Sequence, residues 1–514
     1  MRNRMRDFQR NPGKNLRALA AVLTLVLLSL SPAALLAQTQ QIPAHPRDLK
    51  YTTLTFTPPK REQYRHVLSN GVVVYLVEDH DLPLVNISTL VRTGTYLDPA
   101  GKEGLAALTG SQMRIGGTTT KNAEQFDESL AFLAANINSN IGALQGNASL
   151  NLLTKDIDQG LGLYFDMLKN PGFQEDRIKL AKSQLLQNME RRNDSTDAIE
   201  DREWSRLIYG SNHFSARQAT KAAIESITRE DMIAFHKKYY QPGGFIFAIS
   251  GDFNTKEMLA KLEAAMKGWP VSKDPAPVVP KTPYETVAGI FTVHKPDVNQ
   301  GRVSLGHVGT MRDNPDFYAL TIMNDILGGG GFTSRITSRV RSDEGLAYSA
   351  GSSYSFGTYN PGIFRASFQS KNPTTSQAID IIMEEINRLR TGKVTAEELE
   401  TSKNSFIEVF PRSFATATQV AGVFAQDEFT KRAPDYWSTY RDRIRAVTAE
   451  EVQRVAQKYL QPDKLVVLVV GNIDEITKGN PDKPQYSLVK IARDGQIKRI
   501  PLPDPLTLVY PSNP

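Results

Sequence analysis

The sequence predicts an α+β fold of two homologous domains. Three observations predict it: a stretch of 25 residues recurs without a gap 220 residues downstream, each copy changes from a helical to a buried-strand pattern, and a proline-rich segment separates the copies. The two stretches, Ile227–Gly251 and Val447–Gly471, share seven identical positions. The period is far longer than the roughly 20–50 residues of a solenoid repeat, so two sibling domains are the simpler interpretation.

Each copy begins with the pattern of a capped helix. Thr228 and Thr448 are followed three residues later by Asp231 and Glu451, the spacing of a capping box. Apolar residues then recur at helical spacing until a Gln-Pro pair, where proline ends the helix. The short apolar runs that follow are typical of buried strands and end at a glycine; they are Phe245–Ile249 and Leu465–Val470.

The start of each half repeats a second pattern, in which two candidate strands precede a helix that ends in glycines. In the first half these elements are Val72–Leu76, Val85–Val91 and the helix Glu103–Ile115. In the second half they are Ile290–His294, Arg302–Val308 and the helix Phe317–Leu327. The duplication therefore extends over most of each half.

The first 37 residues have the pattern of a secretory signal peptide. Six basic residues precede the apolar run Ala18–Leu30, and small residues follow near Ala37. Thirteen apolar residues are too few to span roughly 30 Å of hydrocarbon, which favours cleavage near Ala37 over an uncleaved anchor. The chain has no cysteine, which excludes disulfides, thiolate catalysis and Cys-ligated zinc. We therefore expect a periplasmic protein with no membrane span after signal cleavage.

The charge of the mature chain is close to neutral. The whole chain has 61 basic and 55 acidic residues, of which the first 37 residues hold six and one, leaving a formal charge of +1. A near-neutral protein without a basic run offers no electrostatic basis for binding nucleic acid.

The domain boundaries follow from these patterns. We predict a signal peptide at 1–37, an N-terminal arm at 38–63, a first domain at 64–269, a linker at 270–284, a second domain at 285–476 and a C-terminal tail at 477–514. The linker prediction rests on Pro270–Pro283, where five prolines in fourteen residues are typical of an extended, semi-rigid spacer. The two terminal arms wrap either a domain or a partner, and both alternatives stay open.

Several spaced motifs run through both halves. They are LSNGVVVYLVEDHDLPLVNI and RTGTYLDPAGKEGLA near the start, YYQPGG and LVVGNID at the ends of the halves, and GGGGFTSRI and RSDEGLAY in the second half. In this order they resemble the M16 peptidases, the insulinase and pitrilysin group that includes mitochondrial processing peptidase and the core proteins of the respiratory bc1 complex. The resemblance covers about residues 64–475. It implies an antiparallel-rich sheet with helices packed on one face in each domain.

The resemblance also locates a zinc site that this chain has lost. Active members carry H-x-x-E-H directly after Gly-Leu-Ala; the histidines and a later glutamate bind zinc, and the motif glutamate polarises the attacking water. After the Gly-Leu-Ala that ends at Ala106, the three motif positions hold Ala107, Gly110 and Ser111, and the later glutamate position holds Asn188. The resemblance therefore implies no metal in this chain and no hydrolysis by this chain alone.

Other metal sites are disfavoured by spacing. The seven histidines, at positions 45, 66, 80, 213, 236, 294 and 307, include no two that are three or four residues apart. A site assembled from scattered histidines and carboxylates is the alternative, and it would make the chain a peptidase in its own right. We expect His213 to have a structural role.

The resemblance implies that Arg341 and Tyr348 hold the substrate backbone beside a zinc ion. Both lie in RSDEGLAY at the family's spacing. An arginine and a phenol can donate to a scissile carbonyl and stabilise the charge that develops on it. The alternative is that Arg341 pairs with Asp343 or Glu344 and that Tyr348 packs at the start of a strand.

Two further patterns have a functional and a plain structural interpretation. Asn136, Asn138 and Asn140 alternate with apolar residues and resemble the edge strand to which M16 substrates add by main-chain pairing; an ordinary half-buried strand is the alternative. Gly328–Gly331 suggests a phosphate loop, but no Gly-Lys-Ser or Gly-Lys-Thr follows it. We expect a sharp turn after a helix there.

Together these observations predict the non-catalytic, substrate-binding subunit of a heterodimeric periplasmic M16 zinc metallopeptidase. The expected partner is a catalytic M16 subunit that carries H-x-x-E-H and the zinc, and the expected substrates are unfolded peptides or short polypeptides. A purely structural or peptide-binding scaffold without a role in hydrolysis is the alternative.

Overall fold

The computed structural model describes His45, Leu49 and residues 55–269, 277–492 and 496–512. The chain divides into two compact units, Met1–Thr55 and Phe56–Pro514, and every helix and strand that is described lies in the second. The predicted signal peptide, most of the N-terminal arm and residues 270–276 of the predicted linker lie outside the described residues. Within the described ranges, no helix is long and apolar enough to cross a membrane.

The first half contains six strands and eight α-helices among its described residues. The strands are β1 (Arg65–Val67), β2 (Val73–Glu78), β3 (Leu84–Val91), β4 (Asn136–Ile141), β5 (Gly146–Leu153) and β6 (Phe245–Gly251). The helices are α1 (Leu105–Ile115), α2 (Ala123–Phe132), α3 (Ile157–Lys169), α4 (Glu175–Glu190), α5 (Thr196–Tyr209), α6 (Lys221–Ser226), α7 (Arg229–Tyr239) and α8 (Thr255–Met266).

The second half repeats this order. Its strands are β7 (Gly289–His294), β8 (Gln300–Val308), β9 (Thr310–Met311), β10 (Ala347–Tyr354), β11 (Phe356–Gly357), β12 (Ile363–Lys371), β13 (Val466–Gly471) and β14 (Ile497–Arg499). Its helices are α9 (Phe317–Asn324), α10 (Arg335–Thr337), α11 (Thr375–Thr391), α12 (Ala396–Val409), α13 (Ala417–Thr430), α14 (Tyr436–Ala446), α15 (Ala449–Tyr459), α16 (Ile473–Lys478) and α17 (Leu488–Ile491).

The two main sheets share the order of five strands and differ at one edge, where β1 pairs antiparallel with β2 and β14 pairs parallel with β7. The first has the order β1-β2-β6-β3-β5-β4, and the second, read from its other edge, has the order β14-β7-β13-β8-β12-β10. In both, one inner pair is parallel, β2 with β6 and β7 with β13, and the remaining inner pairs are antiparallel. The prediction of an α+β fold with two antiparallel-rich sheets is therefore confirmed, and each strand and helix predicted from the repeats is present within two residues at its start.

The repeated helices begin as their sequences predict. In α7 the Thr228 side chain accepts a hydrogen bond from the Asp231 amide while the Asp231 carboxylate accepts one from the Thr228 amide. Thr448 and Glu451 form the same capping box on α15. The following strands, β6 and β13, are buried along their whole length, which explains their continuous apolar sequences.

Both faces of each sheet are covered, and the second face is covered by the other half. Most of each half's own helices pack on one face, as predicted, and form two separate cores. On the opposite face of the first sheet, α13 of the second half packs Ala421 and Phe424 against Tyr75 and Ile246. On the opposite face of the second sheet, α5 of the first half packs Ile199, Trp204 and Ile208 against apolar side chains of β7 and β13.

Each of these exchanged helices is also held by a glutamate. Glu200 of α5 is completely buried and binds Arg302, Ser304 and Arg365 of the second sheet. Glu428 of α13 accepts two hydrogen bonds from Arg65 at 3.1 Å and one from the Tyr75 hydroxyl at 2.8 Å. Apolar packing and ion pairing therefore both join the halves. Each sheet needs a helix of the other half to cover its second face.

The described part of the C-terminal tail wraps this chain. Strand β14 adds in parallel to β7, at the edge of the second sheet. The tail then crosses to the first half, where the Pro503 carbonyl accepts a hydrogen bond from Asn193 at 2.8 Å and the Leu506 carbonyl accepts one from the Lys221 amide. Near its end, the Tyr510 hydroxyl bonds to Glu203 of α5 at 2.8 Å.

Candidate functional site

The helix that would carry the zinc motif is fixed at its N-terminus by a buried carboxylate. Asp98 accepts hydrogen bonds from the backbone amides of Gly104 at 2.8 Å and Ala106 at 2.7 Å. Burial raises the pKa of Asp98, while the two amide hydrogen bonds oppose that shift. Gly104 has φ +104°, a conformation that favours glycine, so the Gly-Leu-Ala of the motif supplies the sharp entry into α1.

The four zinc-site positions do not fit a metal. Ala107 and Asn188 are exposed, Ser111 is half-buried, and Gly110 is buried. The Ser111 hydroxyl donates to the Leu108 carbonyl at 3.0 Å, within its own helix. Zinc in proteins takes histidine nitrogen, cysteine sulfur or carboxylate oxygen, and none of these side chains is present at the four positions. A zinc-bound water cannot be held there by this chain.

The catalytic-base position is filled by the neighbouring strand. A Cβ atom on Gly110 would lie 2.5 Å from the Ile141 nitrogen and 2.8 Å from the Asn140 carbonyl carbon, both backbone atoms of β4. Real Cβ contacts essentially never come closer than 3.0 Å. Helix α1 therefore packs against β4 at a distance that only glycine allows, and no glutamate fits at position 110 without moving the helix or the strand.

The sequence of α1 matches the equivalent helix of the second half. Ala107-Leu108-Thr109 and Ala319-Leu320-Thr321 are identical triplets, and each begins nine residues before a glycine that follows its helix, Gly116 or Gly328. The Thr109 hydroxyl donates to the Leu105 carbonyl and the Thr321 hydroxyl donates to the Phe317 carbonyl, both at 2.8 Å. At its lost motif the first half thus carries the same triplet, with the same hydrogen bond within the helix, as the second half.

The histidines are dispersed through the fold. His236 is buried in α7, and its Nε2 bonds to the Leu168 carbonyl at 2.9 Å; burial lowers its pKa to about 4. His213 is buried among the rings of Tyr209, Phe214 and Tyr284, consistent with the expected structural role. Among the residues that the structure describes, no three histidine, aspartate or glutamate side chains are grouped so that they could hold a metal ion.

Arg341 and Tyr348 lie together on the surface of the second half. The Arg341 guanidinium carbon is 4.5 Å from the centre of the Tyr348 ring and 4.5 Å from the centre of the Phe332 ring. The Tyr348 side chain is 83% exposed and Phe332 is 66% exposed. Within the described ranges, Arg341 makes no hydrogen bond or ion pair. Its N–H donors are therefore available to an external acceptor.

The alternative ion pairs of Arg341 are absent among the described residues. Glu344 instead binds Lys483 at 2.7 Å and Gln377 at 2.9 Å. The partnership with Lys483 lowers the pKa of the Glu344 carboxyl. A cavity of about 540 Å³ adjoins Tyr348 on this side, and Lys371, Lys483 and Glu344 are among its lining residues. Polar side chains thus surround the open face of Tyr348.

Tyr348 lies in a β-bulge on an edge strand. Ala347 pairs with Ser370 and Ala350 pairs with Phe368, so three steps along β10 correspond to two along β12. The extra residue interrupts the alternation and leaves Tyr348 and Ser349 both exposed. Strand β10 is the outer strand of the second sheet.

The glycine-rich segment is a turn, and it places Phe332 beside Arg341. After α9 the chain continues as a π-helical turn, Asp325–Gly329, and a Cβ on Gly328 would lie 2.5 Å from the Ser352 nitrogen of β10. Gly331 has φ +62°, which favours glycine. Phe332 is the site residue that the sequence did not indicate, because nothing in its local pattern distinguishes it from a core phenylalanine.

The structure places Asn136, Asn138 and Asn140 on β4, the outer strand of the first sheet. The three asparagines are exposed, and the intervening residues are buried. One β4 carbonyl, that of Ile137, already accepts a hydrogen bond from Arg114 at 3.0 Å. The predicted site residues therefore form two separate groups, one at each outer strand, and the vacant zinc positions adjoin only the first.

Two family models match the two halves of the chain. Residues 73–215 match "Insulinase (Peptidase family M16)", and residues 226–406 match "Peptidase M16 inactive domain". The matches follow one another along the chain and lie within the region where the sequence resembles that family.

Individual relatives have low sequence identity to this chain, but the matches span most of each relative's length. An uncharacterized zinc protease of Rickettsia bellii is 24% identical over 340 residues, 63% of this chain and 80% of that protein. A non-peptidase homolog, YmxG, of Helicobacter pylori is 22% identical over 407 residues, 78% of this chain and 92% of that protein. A peptidase M16 inactive domain from Pseudomonas fluorescens is a solved structure with a TM-score of 0.71 and 25% identity, covering 79% of this chain and 97% of that one.

Proposed function

Because this chain belongs to the M16 family of peptidases, we propose that it is the non-catalytic, substrate-binding subunit of a heterodimeric M16 zinc metallopeptidase. The partner is a second M16 chain that carries H-x-x-E-H and binds the zinc. This chain closes the peptide chamber and supplies Arg341 and Tyr348 to the partner's site. The signal-peptide pattern at the N-terminus supports a periplasmic location for the pair.

One observation carries this proposal: Arg341 is half-buried beside two exposed aromatic rings and has unused donors, in a chain whose own zinc positions hold no ligand. A guanidinium without an internal acceptor is suited to bind a carbonyl oxygen or a developing oxyanion. The motif positions Ala107 and Ser111 lie on helix α1 of the first half and offer no ligand. Arg341 and Tyr348 can therefore contribute to catalysis only beside a zinc ion that another chain holds.

The chemistry assigned to this chain is binding and charge stabilisation. Strand β4 offers backbone groups at a sheet edge, to which an extended peptide can pair with little dependence on its sequence. Arg341 and Tyr348 donate hydrogen bonds to the scissile carbonyl, and their interaction strengthens as negative charge develops on that oxygen. The partner's zinc supplies the activated water.

The experiment is reconstitution of the pair. An M16 chain with H-x-x-E-H, identified by that motif in the genome that encodes this chain, is purified with it, and kcat and KM are measured on an unstructured peptide. We expect Arg341→Ala to lower kcat by roughly 100-fold, the scale seen when one oxyanion donor is removed. Arg445→Ala, at a half-exposed arginine whose ion pair is with Asp442 on the same helix, serves as the control.

The outcomes separate the two candidate functions. A fall in kcat for Arg341→Ala alone supports the substrate-binding subunit. Complex formation with the same kcat for all three proteins would instead support the scaffold function, which the non-peptidase relative favours.

A further inference from the structure

We propose that Phe332 is a third member of the Arg341–Tyr348 site and that it positions the Arg341 guanidinium for a peptide oxygen. This inference rests on the proposed function, because it assigns the means by which the same site is held ready. Phe332 acts through Arg341 and is a positioning residue. The ligand class is a main-chain carbonyl or a carboxylate of an extended peptide.

The arrangement of the three side chains is a clamp. The Arg341 guanidinium carbon lies 4.5 Å from the centres of both the Phe332 and the Tyr348 rings, and both rings are largely exposed. Aromatic faces attract a guanidinium, and two rings at this distance restrict its rotation. The N–H edge stays uncovered, because Arg341 has no acceptor within the described part of the chain. Such an edge donates hydrogen bonds to an oxygen that lies in the plane of the guanidinium.

The backbone is built to present Phe332. Gly328 contacts β10 so closely that a Cβ would lie 2.5 Å from the Ser352 nitrogen, and Gly331 has φ +62°. The turn is then held by the Ser338 hydroxyl, which donates to the Phe332 carbonyl at 3.0 Å. The four glycines thus bring the large apolar side chain of Phe332 to the outer strand and leave it in solvent. Burial in a core therefore does not explain its presence there.

The other ring is presented by an independent device. The bulge at β10 turns Tyr348 outward on the side where Arg341 lies. Bulges at sheet edges re-aim side chains in this way. The glycine-rich turn and the bulge are separate segments, and each places an aromatic ring beside Arg341. We therefore infer that both rings share one role.

The test compares Phe332→Ala with Phe332→Tyr in the reconstituted pair. Loss of the ring should lower kcat/KM by roughly three- to thirty-fold, the range that one cation–π contact provides, and tyrosine should restore it. Phe132→Ala is the matched control, because Phe132 is 86% exposed on the first half and lies over no cation among the described residues. In an Arg341→Ala background, Phe332→Ala should have no further effect, because the two residues act as one unit.

A second measurement needs no partner. Phenylglyoxal modifies accessible arginines, and peptide mass spectrometry reports its rate at Arg341 in the purified chain. We expect Phe332→Ala to accelerate that modification and Phe332→Tyr to leave it unchanged, with Arg445 as the internal reference.

The outcomes distinguish the two proposals. If Arg341→Ala lowers kcat but Phe332→Ala has no effect, or has an additive effect in the double variant, the positioning role is wrong and the proposed function stands. An unchanged labelling rate in Phe332→Ala also overturns the clamp. If Arg341→Ala has no effect on hydrolysis, the proposed function fails, and the labelling rate alone then reports whether the clamp exists.

Discussion

Adding one methyl group at Gly110 should destabilise the protein, although glycine inside a helix is normally unfavourable. Gly110→Ala would place a Cβ 2.5 Å from the Ile141 nitrogen and 2.8 Å from the Asn140 carbonyl carbon. Both are backbone atoms of β4, so they cannot rotate away. Overpacking of this kind costs about 1–3 kcal/mol, which exceeds or cancels the gain of about 1 kcal/mol that alanine brings over glycine in a helix.

Gly162→Ala is the matched control, because Gly162 also lies in a helix, α3, and a Cβ there has nothing within 4 Å. We expect Gly162→Ala to raise the free energy of unfolding by about 0.5–1 kcal/mol. Urea unfolding monitored by tryptophan fluorescence measures both variants against the unsubstituted chain. The reasoning is refuted if Gly110→Ala proves as stable as Gly162→Ala.

The same contact has a consequence for activity. A chain with Ala107→His, Ser111→His and Asn188→Glu regains the side chains that bind zinc but still lacks the base. Adding Gly110→Glu completes the motif only by forcing α1 away from β4. We expect that four-fold variant to unfold at lower urea than the three-fold variant and to show no peptidase activity by itself.

Two further predictions concern buried polar groups. Glu200→Gln should lower the free energy of unfolding by about 1–3 kcal/mol, because it leaves Arg302 without its buried counter-charge. Asp197→Asn removes an exposed partner of the same arginine and should cost under about 1 kcal/mol. Equal effects of the two variants in urea unfolding would contradict this. His236 is neutral when folded, with a pKa of about 4. The unfolded chain takes up that proton first, near pH 6.5, so this stability is full above pH 6.5 and falls as the pH drops toward 4. His236→Gln, whose amide can still donate to the Leu168 carbonyl, should therefore lose about 1–2 kcal/mol less between pH 7.5 and 5; identical pH profiles would argue against it.

Local pattern predicted the elements but not their partners. The apolar runs of β6 and β13 indicated buried strands because burial on both faces leaves no polar position. The helix α5 is amphipathic, and its sequence indicates only that one face is buried. The buried face packs on the sheet of the other half. Sequence periodicity does not indicate this tertiary contact.

The candidate site shows the same division. Motif order located Arg341 and Tyr348, and the structure brings them together. Phe332 could not be found in that way, because the sequence does not show whether a phenylalanine is exposed or buried. Its partner Arg341 lies nine positions away, across a turn. Gly110 was identified as a lost residue, but only the coordinates show that β4 occupies the space of the missing side chain.

The two halves are alike in fold, yet the site of the second depends on the first. Arg365, which binds the buried Glu200 of α5 at 3.0 Å, lies on β12 and pairs directly with Ser353 of β10. Strand β10 carries Tyr348, so one strand separates the exchanged helix from the candidate site. Strand β12 therefore connects the contact at Glu200 directly to the strand that carries Tyr348. The four zinc-site positions of the first half hold no metal ligand, and helix α5 of the same half still packs on the sheet that carries Tyr348.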